Sequence, residues 1–351
     1  MIDIEFYMNT SAFRQYLEMG AVEEPLTDPV KVFDWLEAQR SRRPVVFNIE
    51  STNACNMSCP FCPRTTQMTR PVKTMSRDVF ARVAEQLDPH PAGLWQKWCE
   101  YAAKRYGVPQ DEQSENAFFL YVIAQAVTLH GYGDPMLDPH ISDYVGMLTA
   151  RGVPTYFSCN PANIQLWRTQ NVMDAGLGWL KYSIDSIKDP ARGIDQFDRD
   201  FRNIMNVLDE KAKAGYKTKI VVTMIDLGRP EQALEYEGLI KAFEGTGVYL
   251  YSKSLDQAWM QGSEPPKSIH WREPCQMPWS SMTIKSDGKA ASCQEDFNNE
   301  IILGDVMEQS LEEIWNGEAY RLLRRAHLQN TPGLRCTDGR CDMQVIGRML
   351  T

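Results

Sequence analysis

Short apolar segments alternate with longer amphipathic segments along most of this chain. Six apolar segments have the β-branched and aromatic composition of strands, at 44–50, 126–131, 155–159, 180–184, 219–225 and 248–251. Five amphipathic segments have the spacing of helices, at 76–87, 140–151, 164–175, 198–214 and 231–243. This alternation predicts an α/β fold with a parallel sheet, and six units fit an open or partial barrel better than a closed eight-unit barrel.

Three other parts of the chain depart from this alternation. Residues 1–43 predict an N-terminal helical extension, with helices at 11–19 and 29–40. Residues 92–125 carry two helical patterns and predict a helical insertion between the first two strands. A Pro- and Gly-bearing stretch at 262–274 separates the barrel, 44–261, from a tail, 262–351, that predicts a hairpin at 281–293 and a helix at 310–327.

Composition narrows the classes of function. Hydrophobic residues make up 43% of the chain and charged residues 24%, as in an ordinary globular protein. The net charge of −9 disfavours a nucleic-acid or anionic-membrane surface, so a small-molecule or peptide substrate is favoured. We expect a cytoplasmic protein, because no apolar run approaches the roughly 18–20 residues that span a bilayer and the N-terminus lacks the pattern of a signal peptide.

The cysteines form two sets. Cys55, Cys59 and Cys62 lie on the loop after the first predicted strand. Three thiolates so close in sequence can ligate one iron–sulfur cube and leave its fourth iron without a protein ligand. A zinc site would require a fourth Cys or His nearby, and buried thiols alone would not explain the spacing.

This Cys-x3-Cys-x2-Cys loop resembles the signature of the radical S-adenosylmethionine (radical SAM) superfamily. The resemblance implies a partial (β/α)6 barrel and a 4Fe-4S cluster whose open iron binds SAM. It also implies reductive cleavage of SAM to a 5'-deoxyadenosyl radical, which abstracts a hydrogen atom from the substrate. A flavodoxin- or ferredoxin-type protein is then the expected electron donor.

A second motif follows the second predicted strand and consists of Gly131, Tyr132, Gly133 and Asp134. It resembles the superfamily's Gly-Gly-Glu-Pro motif, whose backbone contacts the amino group of SAM, with Asp134 in place of Glu. A plain turn is the alternative.

Further contacts with SAM are implied at the ends of the third and fourth strands, where the candidates are Ser158, Asn160 and Ser183. The resemblance also places Phe61 near the adenine ring, although an aromatic residue there could equally belong to the core. Asn160 begins a sequence, Asn-Pro-Ala-Asn, that replaces the Thr-Asn-Gly of many members.

The second set of cysteines comprises Cys275, Cys293, Cys336 and Cys341. Four cysteines can close a cluster or a structural zinc site completely. Their layout around the predicted hairpin resembles the SPASM/twitch extension of radical SAM enzymes, and it implies one auxiliary 4Fe-4S cluster that transfers electrons. Among members with one auxiliary cluster, the layout resembles that of an aminocyclitol dehydrogenase.

These resemblances lead us to expect two-electron oxidation of a small polar substrate, such as an aminocyclitol or a sugar, with Lys253 or Asp256 as the base. Cys159, expected to face the barrel interior, is a candidate hydrogen-atom donor, although a buried thiol is more often a small apolar residue. The alternatives are epimerisation or cross-linking of a ribosomal peptide, redox-neutral decarboxylation of a sugar acid, and a non-catalytic iron–sulfur or zinc scaffold. Cys99 is assigned no role.

Overall fold

The computed structural model describes most of the chain. The described residues are 1–11, 29–59, 62–184, 194–226, 228–253, 275–329, 331–334 and 336. Several sequence predictions lie outside them, namely the helix at 11–19 beyond residue 11, the boundary at 262, Phe61, Asp256 and Cys341.

Nine strands of the described residues form one sheet, in the order β6-β5-β4-β3-β2-β1-β7-β8-β9. The strands are β1 (Val46–Ile49), β2 (Val127–Thr128), β3 (Thr155–Cys159), β4 (Trp179–Ile184), β5 (Lys219–Ile225), β6 (Tyr249–Lys253), β7 (Met282–Ile284), β8 (Lys289–Ala291) and β9 (Gly304–Asp305). Strands β1 to β6 pair in parallel and in chain order. This confirms the six predicted strands and their parallel sheet.

Helices follow the predicted alternation. They are α1 (Ile4–Asn9), α2 (Pro29–Gln39), α3 (Pro63–Thr66), α4 (Arg77–Ala84), α5 (Ala92–Tyr106), α6 (Glu115–Phe118), α7 (Ile141–Ala150), α8 (Leu166–Asp174), α9 (Ile194–Ala214), α10 (Gln232–Phe243), α11 (Met277–Ser280), α12 (Leu311–Asn316) and α13 (Glu318–Gln329). A π-helical turn follows α6 at Phe119–Ile123. None of the described helices is long and apolar enough to cross a membrane.

Helix α1 was not predicted. It begins at Asp3, whose side chain accepts a hydrogen bond from the backbone N–H of Phe6 at 3.0 Å and thereby caps the helix. The helix has six residues, too few to show a helical period in the sequence, and it is held by burial of Ile4, Phe6 and Tyr7.

The two faces of the sheet pack differently. Side chains alternate along a strand, so Phe157 and Leu180 point toward the surrounding helices and are fully buried there. The opposite, interior face of β3 carries Tyr156, whose ring lies 5.3 Å from that of Phe118 in α6. The helical insertion is therefore confirmed, and it supplies part of the barrel interior, since Phe118 also packs on Tyr249 of β6.

The predicted hairpin in the tail is also confirmed, as β7 and β8 pair antiparallel. Strand β7 continues the sheet of the barrel, because it pairs in parallel with β1 in the register Asn48 to Thr283 and Ile49 to Ile284. This pairing places the hairpin beside the loop that carries the first set of cysteines.

Candidate active site

The first cysteine loop leaves the carboxyl end of β1, a strand whose four residues are all buried. Arg64, in the short helix α3 after Cys62, donates from Nε to the carbonyl of Asn53 at 3.0 Å and from Nη1 to that of Met57 at 3.4 Å. The guanidinium group thus ties the start and the middle of the loop to the helix that follows it, and it brings positive charge near Cys55.

The three thiols of this loop lie within electrostatic reach of one another. Burial raises the pKa of Cys62, and the neighbouring Cys59 and Cys55 raise it further. Burial likewise raises the pKa of Cys55, with smaller contributions from Asp134 and Cys59. No group of His, Cys, Asp or Glu in the described ranges is arranged to hold a single metal ion. An iron–sulfur cluster binds each cysteine to a different iron, and three half-buried thiols on one loop fit that donor set.

The motif after β2 lies directly on this loop. The backbone N–H of Asp134 donates to the carbonyl of Ala54 at 2.8 Å. A Cβ atom at Gly131 would meet the carboxylate of Glu50 at 2.6 Å, so the close approach of the two segments requires glycine there. The loop after β2 and the cysteine loop after β1 therefore pack backbone to backbone at the carboxyl edge of the sheet.

The side chain of Asp134 forms hydrogen bonds with other residues of the protein. Its carboxylate accepts hydrogen bonds from the backbone N–H groups of Met136 at 2.9 Å and Asn160 at 3.1 Å, and from the side-chain amide of Asn163. The amides of Asn163 and Asn56 form a reciprocal pair at 2.6 and 3.0 Å. Asp134 thus holds the loops after β2 and β3 together, and Asn163 links both to the cysteine loop.

The interior face of the barrel carries partly accessible polar side chains, and we call the space beside them the chamber. In β4, Lys181 and Ser183 are partly accessible, whereas their neighbours Leu180 and Tyr182 on the opposite face are fully buried. The partly accessible side chains that line the described part of the chamber are His130, Ser158, Lys181, Ser183 and Lys253. The structure therefore brings Ser158, Ser183 and Lys253, all predicted from the sequence, to one chamber.

Lys181 lies deep in this chamber. Its Nζ is 3.4 Å from the hydroxyl of Tyr251 and 5.7 Å from the centroid of the Phe118 ring. Burial lowers the pKa of Lys181 to about 7, and the charge of Lys253 contributes while Glu115 opposes. A lysine that is partly neutral at pH 7 can accept a proton as well as donate one.

His130 stays neutral beside it. Its Nδ1 accepts the backbone N–H of Ser158 at 3.1 Å, which places the ring proton on Nε2. Burial lowers the pKa of His130 to about 3, and Lys181 and Lys253 add to the effect. The chamber therefore offers a neutral imidazole and two amines.

Cys159 does not face this chamber. It follows Phe157 by two residues on β3 and so shares its face, in the main hydrophobic core, where it is 6% exposed. The expectation that its thiol points into the barrel interior is wrong. Burial raises the pKa of this thiol well above its usual range, which is typical of an inert core cysteine.

Two cysteines of the second set lie together beside the hairpin. Cys293 belongs to the same buried cluster as Met277, and the partly buried Cys275 packs against that cluster. Burial raises the pKa of Cys275 to about 12, with a further contribution from Cys293. Cys336 is half-buried, and Cys341 lies outside the described residues.

Comparison with known proteins adds to this geometry. Residues 275–342 match the SPASM iron–sulfur cluster-binding domain. An S-adenosyl-L-methionine-dependent 2-deoxy-scyllo-inosamine dehydrogenase from Niallia circulans is 20% identical over 284 residues, which cover 80% of this chain and 85% of that protein. The crystal structure of BtrN with AdoMet and 2-DOIA covers 83% of this chain and 90% of its own, at 16% identity and a TM-score of 0.50. The chain therefore shares its fold with the AdoMet-binding structure of BtrN, and it is similar over most of its length to a radical SAM dehydrogenase.

A more distant structure is SuiB from Streptococcus suis bound to S-adenosylmethionine, at 14% identity and a TM-score of 0.48 over 90% of this chain and 79% of its own. The SPASM match indicates an iron–sulfur cluster in the C-terminal segment, and the similar proteins support S-adenosylmethionine and a second, 4Fe-4S cluster as the further cofactors. The three-thiol loop and the SPASM segment supply two separate sets of thiolate donors for the two clusters.

Sequence reasoning missed the two residues with the most perturbed charge states in the chamber, Lys181 and His130. Lys181 carried a usable signal, because a lysine in the middle of an apolar strand is rare unless it is paired or functional. His130 carried none, since a histidine at the end of a strand is common in a core.

Proposed function

We propose that this enzyme is an oxidoreductase that oxidises a secondary alcohol of a small polar molecule, such as an aminocyclitol or a sugar, to a ketone. The similarity to the Niallia circulans dehydrogenase carries the proposal, because it covers 80% of this chain and 85% of that protein. Loss of two electrons requires an acceptor for the second electron, and an auxiliary cluster closed by four cysteines supplies one.

We assign the cofactors to residues as the sequence predicted. Cys55, Cys59 and Cys62 ligate the cluster that binds SAM, and the backbone of Gly131 to Asp134 faces the amino group of SAM. Ser158, Asn160 and Ser183, at the carboxyl edge of β3 and β4, complete that site. The auxiliary cluster takes Cys275, Cys293, Cys336 and Cys341 as ligands.

The chemistry that the cofactors supply is removal of the carbon-bound hydrogen atom by a 5'-deoxyadenosyl radical, after reduction by a flavodoxin- or ferredoxin-type donor. Lys181 Nζ would accept the hydroxyl proton of the substrate, and the auxiliary cluster, held by the second set of cysteines, would supply the acceptor that the remaining electron requires. Lys181 suits this role because its pKa of about 7 leaves a large neutral fraction at physiological pH. Tyr251, 3.4 Å away, orients the amine.

Lys253, one of the two bases expected from the sequence, lies at the end of β6 on the same chamber. Its charge lowers the pKa of Lys181, so we assign it the role of keeping that amine neutral. Asp256 lies outside the described residues.

The test is turnover of the anaerobically reconstituted enzyme with a panel of aminocyclitols and sugars. We expect a product two hydrogens lighter than its substrate and one 5'-deoxyadenosine formed per product. The substitution Lys181→Met should abolish product while leaving SAM cleavage measurable. Lys289→Met, on the exposed side of the hairpin, is the matched control and should retain turnover.

A product of unchanged mass would instead indicate epimerisation, and loss of carbon dioxide would indicate decarboxylation; either result overturns the oxidation. Consumption of a peptide substrate in place of the small polyols would overturn the proposed substrate class.

A further inference from the structure

A buried carboxylate joins the cysteine loop to the hairpin of the SPASM segment. Glu50 follows β1 and is 1% exposed. It accepts a bidentate pair of hydrogen bonds from Arg70, with Nη1 at 3.0 Å and Nη2 at 2.9 Å. It also accepts the backbone N–H of Ser286 at 3.2 Å and its hydroxyl at 2.9 Å. Glu50 thus fixes the turn that follows β7.

The residue before Ser286 is a buried lysine. Lys285 is 1% exposed, and its Nζ donates to the carbonyl of Gln294 at 3.0 Å. Gln294 directly follows Cys293, so the ammonium group lies next to an expected ligand of the auxiliary cluster.

Other charges surround the same position. Arg70 adds positive charge, and Asp296 adds negative charge. Glu295, two residues after Cys293, is also buried, with 4% of its surface exposed. Its carboxylate accepts the hydroxyl of Tyr132 at 2.8 Å. The surroundings of Cys293 therefore contain one buried lysine, Lys285, and two buried carboxylates, Glu295 and Asp296.

We propose that the Lys285 ammonium raises the reduction potential of the auxiliary iron–sulfur cluster, and that Glu50, through its bonds to Ser286, fixes the turn that carries this lysine. The potential of such a cluster depends on nearby charge, hydrogen bonds and exposure to solvent. A fixed positive charge stabilises the more negative, reduced cluster, so it makes the cluster a better electron acceptor. This inference rests on ligation of that cluster by Cys293 and does not depend on the identity of the substrate.

The experiment is potentiometric titration of the auxiliary cluster in the reconstituted holoenzyme, followed by electron paramagnetic resonance and performed without substrate. Lys285→Met should shift the midpoint potential to a more negative value, and Lys285→Arg should restore it. Glu50 keeps its pair with Arg70 in the Lys285→Met variant, so no buried carboxylate is left without a cation. Lys289→Met removes an exposed charge from the same hairpin and should leave the potential unchanged.

Glu295→Gln tests the same proposal by removing a negative charge instead of a positive one. It removes the anion beside Cys293 but keeps an acceptor for Tyr132, so the potential should become more positive. An unchanged potential in Lys285→Met, with full iron content, would overturn the proposal. If Lys285→Met loses the cluster, an unchanged potential in Glu295→Gln would overturn it instead.

The proposed oxidation can fail without affecting this result, because the titration requires no turnover. Conversely, a lowered potential in Lys285→Met together with a product of unchanged mass would retain the electrostatic role and reject the oxidation.

Discussion

A Cβ atom at Gly133 would lie 2.2 Å from the carbonyl oxygen of Thr52. The obstacle is backbone of the cysteine loop, which cannot move aside as a side chain can. Gly133→Ala should therefore separate the two loops, destabilise the protein by about 1–3 kcal/mol and weaken SAM binding. Thermal unfolding and equilibrium binding of SAM to the reconstituted protein measure both effects.

The control for this substitution is Gly146→Ala in α7, where a Cβ would meet nothing within 4 Å. Alanine favours a helix over glycine, so this variant should gain about 0.5–1 kcal/mol. Equal stability of the two variants would contradict the close contact.

Asp134→Asn should loosen the loops after β2 and β3. The amide offers one acceptor where the carboxylate offers two, and its NH2 group would face the N–H of Asn160 or the amide of Asn163. We expect a loss of about 1–3 kcal/mol in unfolding free energy, with weaker SAM binding. Asp143→Asn breaks an exposed ion pair with Arg77 and should cost about 0–1 kcal/mol. Wild-type SAM affinity in Asp134→Asn would count against the positioning role.

The rate of product formation should depend on the protonation of Lys181. A proton acceptor must be neutral, so the rate at saturating substrate should rise with pH and level off above about 7, the pKa of Lys181 in the folded protein. Lys181→Arg keeps a cation that does not deprotonate, and it should lose product formation at every pH. A full rate in Lys181→Arg would remove Lys181 as the base.

Lys181 should also lower the stability of the protein. Its pKa is about 7 in the folded protein and near 10.5 when unfolded, so the unfolded chain binds more protons between these values. Stability attributable to Lys181 should therefore rise as pH increases from about 7 toward 10. Lys181→Met should raise the unfolding free energy at pH 7 by about 1–4 kcal/mol, with a smaller gain at pH 9. Denaturation at the two pH values tests this, and a gain that grows with pH would contradict it.

Removal of one cysteine ligand of the auxiliary cluster should distinguish the roles of the two clusters. Cys293→Ser should reduce iron from about eight to about four atoms per chain and should retain 5'-deoxyadenosine formation while losing the oxidised product. Cys99→Ser, in the insertion, is the control and should keep the full iron content. Zinc bound at the second set, or loss of SAM cleavage in Cys293→Ser, would contradict the division of roles.

Secondary structure was largely predictable because each strand and helix has its own local pattern. Strand β3 has the predicted bounds, 155–159, and the helix at 76–87 is capped by the side chain of Ser76. Strand β2 is shorter than predicted, because the side-chain amide of Asn48 donates to the carbonyl groups of Thr128 and His130. In a longer strand these carbonyl groups would accept hydrogen bonds from a neighbouring backbone. That contact joins positions about eighty residues apart, which local pattern does not reveal.

The sequence by itself determined the two sets of cysteines, the glycine motif and the parallel α/β fold, because spacing and periodicity are local properties. The tertiary structure decided which way the side chains point. It turned Cys159 into the core and Lys181 into the chamber, and it placed Ser286 of the hairpin on Glu50 through the pairing of β1 with β7. These outcomes depend on strand register between distant segments, and register sets both the face on which a residue lies and the charges that surround it.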